Sequence, residues 1–402
     1  MTLVDLVDGC RIVVCVGSGG VGKTTIAATI ALRGAIAGRR VMVLTIDPAR
    51  RLAQSLGLNT LRAGGERVGV EHLAVAGQRL GGTLSAGMLD QKSAWDEFIA
   101  RHAPNHEVRD TLLANEFYQH LSRSFAGSTE YMAIEELCRI DETGAFDLIV
   151  LDTPPTGHAL EFLEAPQRLE DFFDHTTMAW LVRPTMSAGW SVWKTASRSV
   201  RFIFERIEEA TGLQALAQIA DFFVAIEQLI DGITARSRKV KSLLHSPDTA
   251  FVLVSGPDEQ VLEDADGLAA SMRALGMPLK GVVMNRVHAA APGLDDEAMT
   301  AAALGRIVAT LGVAGVDAEV SAWLESTLES ARVQAAAEAV RREAFEDALP
   351  ADVAFVSVPE QRRDVHDLAS LAALGDFFGE TSAPNAARLP GDRATGIRRD
   401  LP

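Results

Sequence analysis

The segment VVCVGSGGVGKTTIAATIAL, from Val13 to Leu32, indicates the fold class of this chain. It begins with an apolar run typical of a buried strand, passes through a glycine-rich turn and continues with the periodicity of a helix. Gly17 to Thr24 satisfies the pattern G-x-x-x-x-G-K-[ST], which predicts a phosphate-binding loop between a strand and a helix. A chance glycine turn is the alternative, and the required order of strand, pattern and helix disfavours it.

Each residue type in this loop suits one part of a nucleoside triphosphate. Glycines let backbone N–H groups turn toward the phosphates, and the helix N-terminus adds its dipole. The Lys23 side chain can reach the β and γ phosphates, and the Thr24 hydroxyl can ligate Mg²⁺. The loop residues predicted to bind nucleotide are Gly19, Gly20, Val21, Gly22, Lys23, Thr24 and Thr25.

Two more apolar runs end in an aspartate. Asp47 follows the predicted strand Val41–Ile46, and Asp152 follows the predicted strand Leu148–Leu151. In open α/β sheets, ligands bind outside the carboxyl ends of the strands, so both carboxylates should face the nucleotide. Asp152 is predicted to hold Mg²⁺, and Asp47 to orient or deprotonate the attacking water. Helix capping is the alternative for either carboxylate, and it is compatible with catalysis.

Short apolar runs alternate with longer helical patterns along the chain, which predicts a doubly wound, mostly parallel α/β sheet with crossover helices. We expect a single domain over residues 1–379, with helical insertions at about 91–139 and 160–245, and a disordered tail over 380–402. A further helical stretch covers Asp295–Leu349. The predicted core strands are Ile12–Val16, Val41–Ile46, Leu148–Leu151, Phe251–Ser255, Gly281–Asn285 and Val353–Val358, with another near Leu84–Leu89.

Composition narrows the functional classes. The chain has 402 residues, a formal net charge of −16 and 48% hydrophobic residues, so a large core is expected and general nucleic-acid binding is disfavoured. No uninterrupted apolar run reaches the roughly 18 residues of a membrane span, so stable membrane insertion is not expected. The opening MTLVDLVDGC lacks the features of a signal peptide, and three cysteines are too few for a disulfide framework. A cytoplasmic location is expected.

Four motifs in this order give the chain a family resemblance: GSGGVGKTT, DPARRLAQSLG, DTPPTGHALEFLEAP and GVVMNRV. The chain resembles the arsenite-pump (ArsA) and tail-anchored-protein-targeting (Get) ATPases, a branch of the deviant Walker A class. It is most similar to the bacterial, actinobacterial-type anion-transporting ATPases. The resemblance extends over about Arg11 to Phe378.

The resemblance implies a Mg²⁺-dependent ATPase that binds ATP and ADP and acts as a nucleotide-gated dimer with a helical subdomain. It places Asp47 in the first switch segment and Asp152 in the second. It further implies that Asn285 hydrogen-bonds the adenine and that the backbone near Pro359 lines the base pocket. A turn residue for Asn285 and a strand terminator for Pro359 are the alternatives.

Ser18 departs from the family pattern, because most members carry there a lysine that reaches the phosphates of the other subunit. Three interpretations stay open. The homodimer hydrolyses ATP slowly, a lysine-bearing paralogue completes the site as a heterodimer, or Arg50 or Arg51 supplies the charge. For Arg50 and Arg51, exposure on a solvated helix face is the commoner alternative to contact with the phosphates. A weakly active or inactive nucleotide-binding regulatory subunit is therefore the alternative to an active ATPase.

The cargo is not defined by the sequence. In the resembling families, the arsenite branch uses three clustered cysteines and the eukaryotic targeting branch uses a C-x-x-C zinc site. Here Cys10, Cys15 and Cys138 are scattered, which disfavours thiolate capture of arsenite, and no C-x-x-C is present. The segment from Phe162 to Phe223, which has a helical pattern, is rich in aromatic residues. They predict either a groove for a hydrophobic client or membrane-protein partner, or simply the core of the helical subdomain.

Overall fold

The computed structural model describes residues 2–46, 51–58, 61, 65–68, 81–124, 128–154, 164–165, 213–288 and 318–379. These residues form one eight-stranded sheet in the order β3-β4-β2-β5-β1-β6-β7-β8. The strands are β1 (Ile12–Gly17), β2 (Arg40–Thr45), β3 (Glu66–Arg67), β4 (Thr83–Met88), β5 (Leu148–Asp152), β6 (Thr249–Ser255), β7 (Leu279–Val287) and β8 (Ala354–Pro359).

The sheet is parallel except for β3, which pairs antiparallel with β4 at one edge. β1 lies at the centre, between β5 and β6, and every one of its residues is buried. The predicted α/β class and all of the predicted strands are confirmed. The structure adds β3, a two-residue strand that no apolar pattern in the sequence predicts.

Helices cover both faces of the sheet, as a doubly wound fold requires. Residues along β1 alternate between two cores: Ile12 and Val14 belong to one, Val13 and Cys15 to the other. The helices are α1 (Leu3–Gly9), α2 (Lys23–Ile36), α3 (Arg51–Ser55), α4 (Gln91–His102), α5 (His106–Ala114), α6 (Glu116–Ser124), α7 (Ser128–Glu142), α8 (Leu213–Glu227), α9 (Ile230–Leu244), α10 (Glu259–Ala274), α11 (Ala318–Asp347) and α12 (Leu368–Gly375).

The predicted helical segments agree with the described helices where the two overlap. α4 to α7 occupy the first insertion, and α8 and α9 occupy the end of the second. The tryptophans at 180, 190 and 193 and the tail over 380–402 lie outside the described residues. The domain boundaries therefore stay predictions. Within the described part, no helix combines the length and apolar character needed to cross a bilayer.

Arginine side chains hold the amino ends of the central strands. The Arg39 guanidinium donates to the backbone carbonyls of Val7, Cys10 and Asp147. Arg40 donates from Nε to Asp147 Oδ2 over 3.0 Å and from Nη2 to Asp147 Oδ1 over 2.6 Å. Hydrogen bonds from Arg40 hold the pKa of Asp147 well below its usual range. This amino edge is therefore tied together by side chains, and the carboxyl edge is left for ligands.

Candidate functional site

The glycine-rich loop leaves β1 at Gly17 and enters α2 at Lys23. Gly17 has φ 151°, and a Cβ there would lie 2.0 Å from the carbonyl oxygen of Val254 on β6. Gly22 has φ 93°, and a Cβ there would lie 2.4 Å from Asn285 Nδ2. Glycine is thus required at both positions, since the loop passes close to the neighbouring strands and adopts a backbone that other residues rarely take.

The Lys23 side chain folds back over the loop. It is only 7% exposed, and its Nζ donates to the carbonyl oxygens of Gly17 over 2.9 Å and Ser18 over 2.8 Å. Hydrogen bonds to anionic oxygens are stronger than those to neutral carbonyls. Phosphate oxygens entering the loop can therefore replace these carbonyls as acceptors for the ammonium group.

Two hydroxyls converge on the Asp152 carboxylate at the end of β5. Thr24 Oγ1 donates to Asp152 Oδ2 over 2.8 Å, and Thr45 Oγ1, at the end of β2, donates to the same oxygen over 3.0 Å. Asp152 is 1% exposed. Hydroxyl and carboxylate oxygens are ligands that Mg²⁺ accepts, so the donor set of Thr24 and Asp152 fits this ion. Thr45 was not predicted from the sequence, although a lone hydroxyl ending the apolar strand RVMVLT is its signal.

Strand β7 brings Asn285 against the other side of the loop. Asn285 is buried, and its Nδ2 donates to the carbonyl oxygen of Val21 over 2.8 Å. In this orientation the side-chain oxygen is left as the acceptor of the amide group. Pro359, at the end of β8, pairs with Val287 of β7. The sheet therefore places Asn285 and Pro359 at the carboxyl ends of two neighbouring strands.

The structure brings Lys23, Thr24, Asp152 and Asn285 around one loop, and places Gly19, Gly20, Val21, Gly22 and Thr25 in or directly after it. Asp47 and Arg50 lie outside the described residues, so their predicted roles stay predictions. Arg51 begins α3 and is exposed.

Ser18 contacts a helix of its own chain. Ser18 is only 7% exposed, and its Oγ donates to Asp264 Oδ2 on α10 over 3.3 Å. Asp264 was not predicted from the sequence, because nothing local connects it with the loop. A cation placed at position 18 would lie beside this carboxylate.

The three cysteines are separated by the sheet. Cys10 and Cys15 belong to the core on one face, and Cys138 belongs to the core on the other. All three thiols are free and buried, and burial raises the pKa of Cys138 to about 11. The described side chains include no group of three or more His, Cys, Asp or Glu that could hold a metal ion.

A glycine loop between the central strand and a helix, with a lysine, a threonine and an aspartate at its end, defines a P-loop nucleoside triphosphatase. The model of the anion-transporting ATPase family matches residues 10–296, and the chain belongs to this ATP-binding ATPase family. The family predicted from the four motifs is confirmed.

Fungal ATPases are among the relatives. The chain is 26% identical to ATPase GET3 of Malassezia globosa over 298 residues, which are 74% of this chain and 79% of the relative. It is 24% identical to ATPase get3 of Neurospora crassa over 285 residues, covering 71% and 75% of the two chains. With ATPase get3 of Aspergillus terreus, it shares 32% identity over 155 residues, 38% and 42% of the two chains.

Proposed function

We propose that this chain binds Mg·ATP at the loop, hydrolyses it as a dimer in the cytoplasm, and uses the resulting motion to control binding of a partner or hydrophobic client. The observation that carries the proposal is the convergence of Lys23, Thr24, Asp152 and Asn285 on one loop. The family of the chain is a family of ATPases, which supports hydrolysis.

The triphosphate would bind at the start of α2. Backbone N–H groups from Gly19 to Thr25 and the helix dipole attract the phosphate oxygens. Lys23 exchanges its bonds to the Gly17 and Ser18 carbonyls for bonds to the β and γ phosphates. No large rearrangement of the loop is required, because the ammonium group already lies over it.

Thr24 and Asp152 are the residues that would hold Mg²⁺, and the ion would neutralise charge on the phosphate oxygens when bound. Thr45 holds the Asp152 carboxylate from the side of β2. Asp152 and Thr45 are paired in the register of β2 and β5, so the sheet itself fixes the position of this carboxylate.

Asn285 would select the base. One N–H of its Nδ2 donates to the carbonyl of Val21, and with the amide held in this orientation Oδ1 can accept from the 6-amino group of adenine. Guanine presents an oxygen at this position, and two acceptors would then face each other. The backbone beside Pro359 would form the wall of the same pocket.

Hydrolysis would proceed by in-line attack of water on the γ-phosphorus, oriented by Asp47, with Lys23 and the loop amides stabilising the developing charge. The segments that follow β2 and β5 would respond to the γ-phosphate and be released after hydrolysis. The helical subdomain would convert the release into a change in affinity for the partner.

A second candidate function is a nucleotide-binding regulatory subunit that pairs with a lysine-bearing paralogue. The hydrogen bond from Ser18 to Asp264 favours it, since position 18 contacts its own chain and offers no cation to a neighbouring subunit. In this arrangement the paralogue would complete the site of this chain, and this chain would leave the site of the paralogue incomplete.

The test is ATP hydrolysis by the purified chain, combined with its oligomeric state in ATP and in ADP. An active ATPase should turn over as an ATP-stabilised dimer, and Asp47→Asn should abolish turnover. Asp248→Asn, at an exposed position beside the amino end of β6, is the matched control and should leave turnover unchanged.

Binding of ATP without turnover would favour the regulatory subunit. Addition of a lysine-bearing paralogue should then restore hydrolysis and form a heterodimer. Turnover by the chain alone, with no effect of the paralogue, would exclude this second function. Absence of ATP binding would contradict both.

A further inference from the structure

A cluster of charged side chains surrounds His288, which directly follows β7. His288 Nδ1 lies 2.8 Å from Glu338 Oε1, and His288 Nε2 lies 3.1 Å from Glu360 Oε2. The backbone N–H of His288 donates to Glu338 Oε2 over 3.0 Å. The side chain of Glu338, on α11, is 2% exposed and also accepts from Gln334 Nε2 over 3.1 Å. His288 thus bridges α11 and the segment after β8.

This cluster adjoins the candidate base site. Glu360 directly follows Pro359, and its backbone N–H donates to the carbonyl oxygen of Val287 over 3.0 Å. On the other side, Asn285 lies near the end of β7, and His288 directly follows that strand. The two residues expected to contact the base are therefore joined through His288 and its carboxylate partners.

The backbone between Asn285 and His288 is irregular. The pairing of β7 with β8 shifts register between Met284 and Val287. Arg286, in this interval, has φ 59°, a left-handed conformation that residues other than glycine rarely adopt. Such a conformation persists where its surroundings hold it. Here Asn285 is bonded to Val21 on one side, and His288 is bonded to Glu338 on the other.

We propose that His288 is a positioning residue for base recognition: through Glu338 and Glu360 it holds the ends of β7 and β8 so that Asn285 and Pro359 form a pocket selective for adenine. The inference rests on the proposed ATP site. It separates two parts of nucleotide binding, because the phosphates bind at the loop between β1 and α2 and the base binds at β7 and β8. His288 acts on the second part.

The test compares His288→Ala with wild type in the binding of ATP, GTP and inorganic tripolyphosphate. The dissociation constant for ATP should rise about fivefold or more, as expected for the loss of hydrogen bonds that hold a contact in place. The dissociation constants for GTP and tripolyphosphate should stay within about twofold of the wild-type values. Any kcat for ATP at saturation should also stay within about twofold, whereas KM for ATP should rise with its dissociation constant. His288→Gln, which keeps one donor group, should restore part of the preference for ATP.

His245→Ala is the matched control, since His245 also hydrogen-bonds two neighbouring groups but precedes the amino end of β6, whereas His288 follows the carboxyl end of β7. It should bind all three ligands as wild type does. Glu360 is exposed and is the partner of His288 Nε2, so Glu360→Gln removes one charge of the cluster. This variant replaces His288→Ala if His288→Ala does not fold. It should lower the ATP preference in the same direction.

Equal weakening of ATP, GTP and tripolyphosphate would mean that His288 acts through general stability, and it would overturn the inference. Unchanged preference in the His288 and Glu360 variants would overturn it as well. Asn285→Ala distinguishes failure of the positioning role from failure of the base site. If it abolishes the ATP preference and the His288 variants do not, the inference alone fails; if Asn285→Ala has no effect, the proposed base site itself is wrong.

Discussion

Two buried cations in this molecule have opposite surroundings. Lys23, 7% exposed, donates to two backbone carbonyls of the loop, whereas Arg236 on α9, 8% exposed, donates from Nε to Glu135 Oε2 over 2.6 Å and from Nη1 to Glu142. The bonds of Lys23 to neutral carbonyls can be exchanged for bonds to an anionic ligand. The carboxylates around Arg236 already neutralise its charge, so we interpret this cluster as a structural contact and not as a ligand site.

The Arg236 network joins α7 and α9. Burial raises the pKa of Glu135, although Arg236 opposes the shift. For Glu142, burial acts in the same upward direction, but hydrogen bonds from Arg236 and Lys239 outweigh it and lower the pKa to about 2. The network thus fixes the helix that leads directly into β5, the strand that ends in Asp152.

The largest effect that tests this comparison is expected from Arg236→Ala. Removing one partner of a buried ion pair leaves uncompensated charge, so the free energy of unfolding should fall by about 3–5 kcal/mol. Urea denaturation measures it. Arg238→Ala, an exposed position on the same helix, is the control and should change the value by less than about 0.5 kcal/mol. Equal losses in the two variants would mean that the network is not structural.

The next effect is expected from Lys23→Ala, which should lower kcat for ATP by roughly 10²–10³, because a group that stabilises developing charge is removed. The free energy of unfolding should change little, since the partners of Lys23 in the loop are neutral carbonyls. Steady-state kinetics and urea denaturation are measured on the same preparation. Lys92→Ala, which removes an ion pair with Asp96 on α4, controls for loss of a positive charge. Retained turnover in Lys23→Ala would mean that the buried lysine of the loop does not stabilise the charge that develops on the phosphates.

The smallest effect concerns His102 on α4, beside the Arg236 network. Burial lowers the pKa of His102 from 6.5, and the positive charge of Arg236 lowers it further. Below pH 6.5, His102 therefore binds a proton in the unfolded chain more readily than in the folded chain. The free energy of unfolding should decrease as pH falls below this value. The slope should stay well under about 1.4 kcal/mol per pH unit.

Urea denaturation at a series of pH values from 7.5 down to 5 checks this contribution of His102. His102→Gln should flatten the decline in stability on the acid side, whereas His120→Gln, at an exposed position, should leave it in place. An unchanged slope in His102→Gln would show that the helical layer tolerates a charged imidazole beside Arg236.

The central part of the fold could be predicted because its signals are local. The loop pattern from Gly17 to Thr24 and the apolar runs of the parallel strands each lie within a few consecutive residues. Asp152 and Asn285 are singled out by a strand end and a family motif; the structure places both beside the loop, and their roles stay predictions.

The missed residues depend on contacts between distant parts of the chain. Thr45 meets Asp152 through strand register, and Ser18 meets Asp264 through the packing of α10. The cluster of His288 with Glu338 and Glu360 joins three elements that no sequence period relates. The role of Asp47 remains a prediction for a different reason, since this residue lies outside the described part of the chain.

The arginine ties at the amino edge of the sheet have a consequence for hydrogen exchange. Arg39 fixes the carbonyls of Val7, Cys10 and Asp147 together, so β1, β2 and β5 start from one clamped base. These strands extend about 20 Å from that base to the nucleotide edge. Because the candidate nucleotide site lies at the carboxyl ends of these strands, amide protection should be insensitive to nucleotide at the base and increasingly sensitive toward those ends.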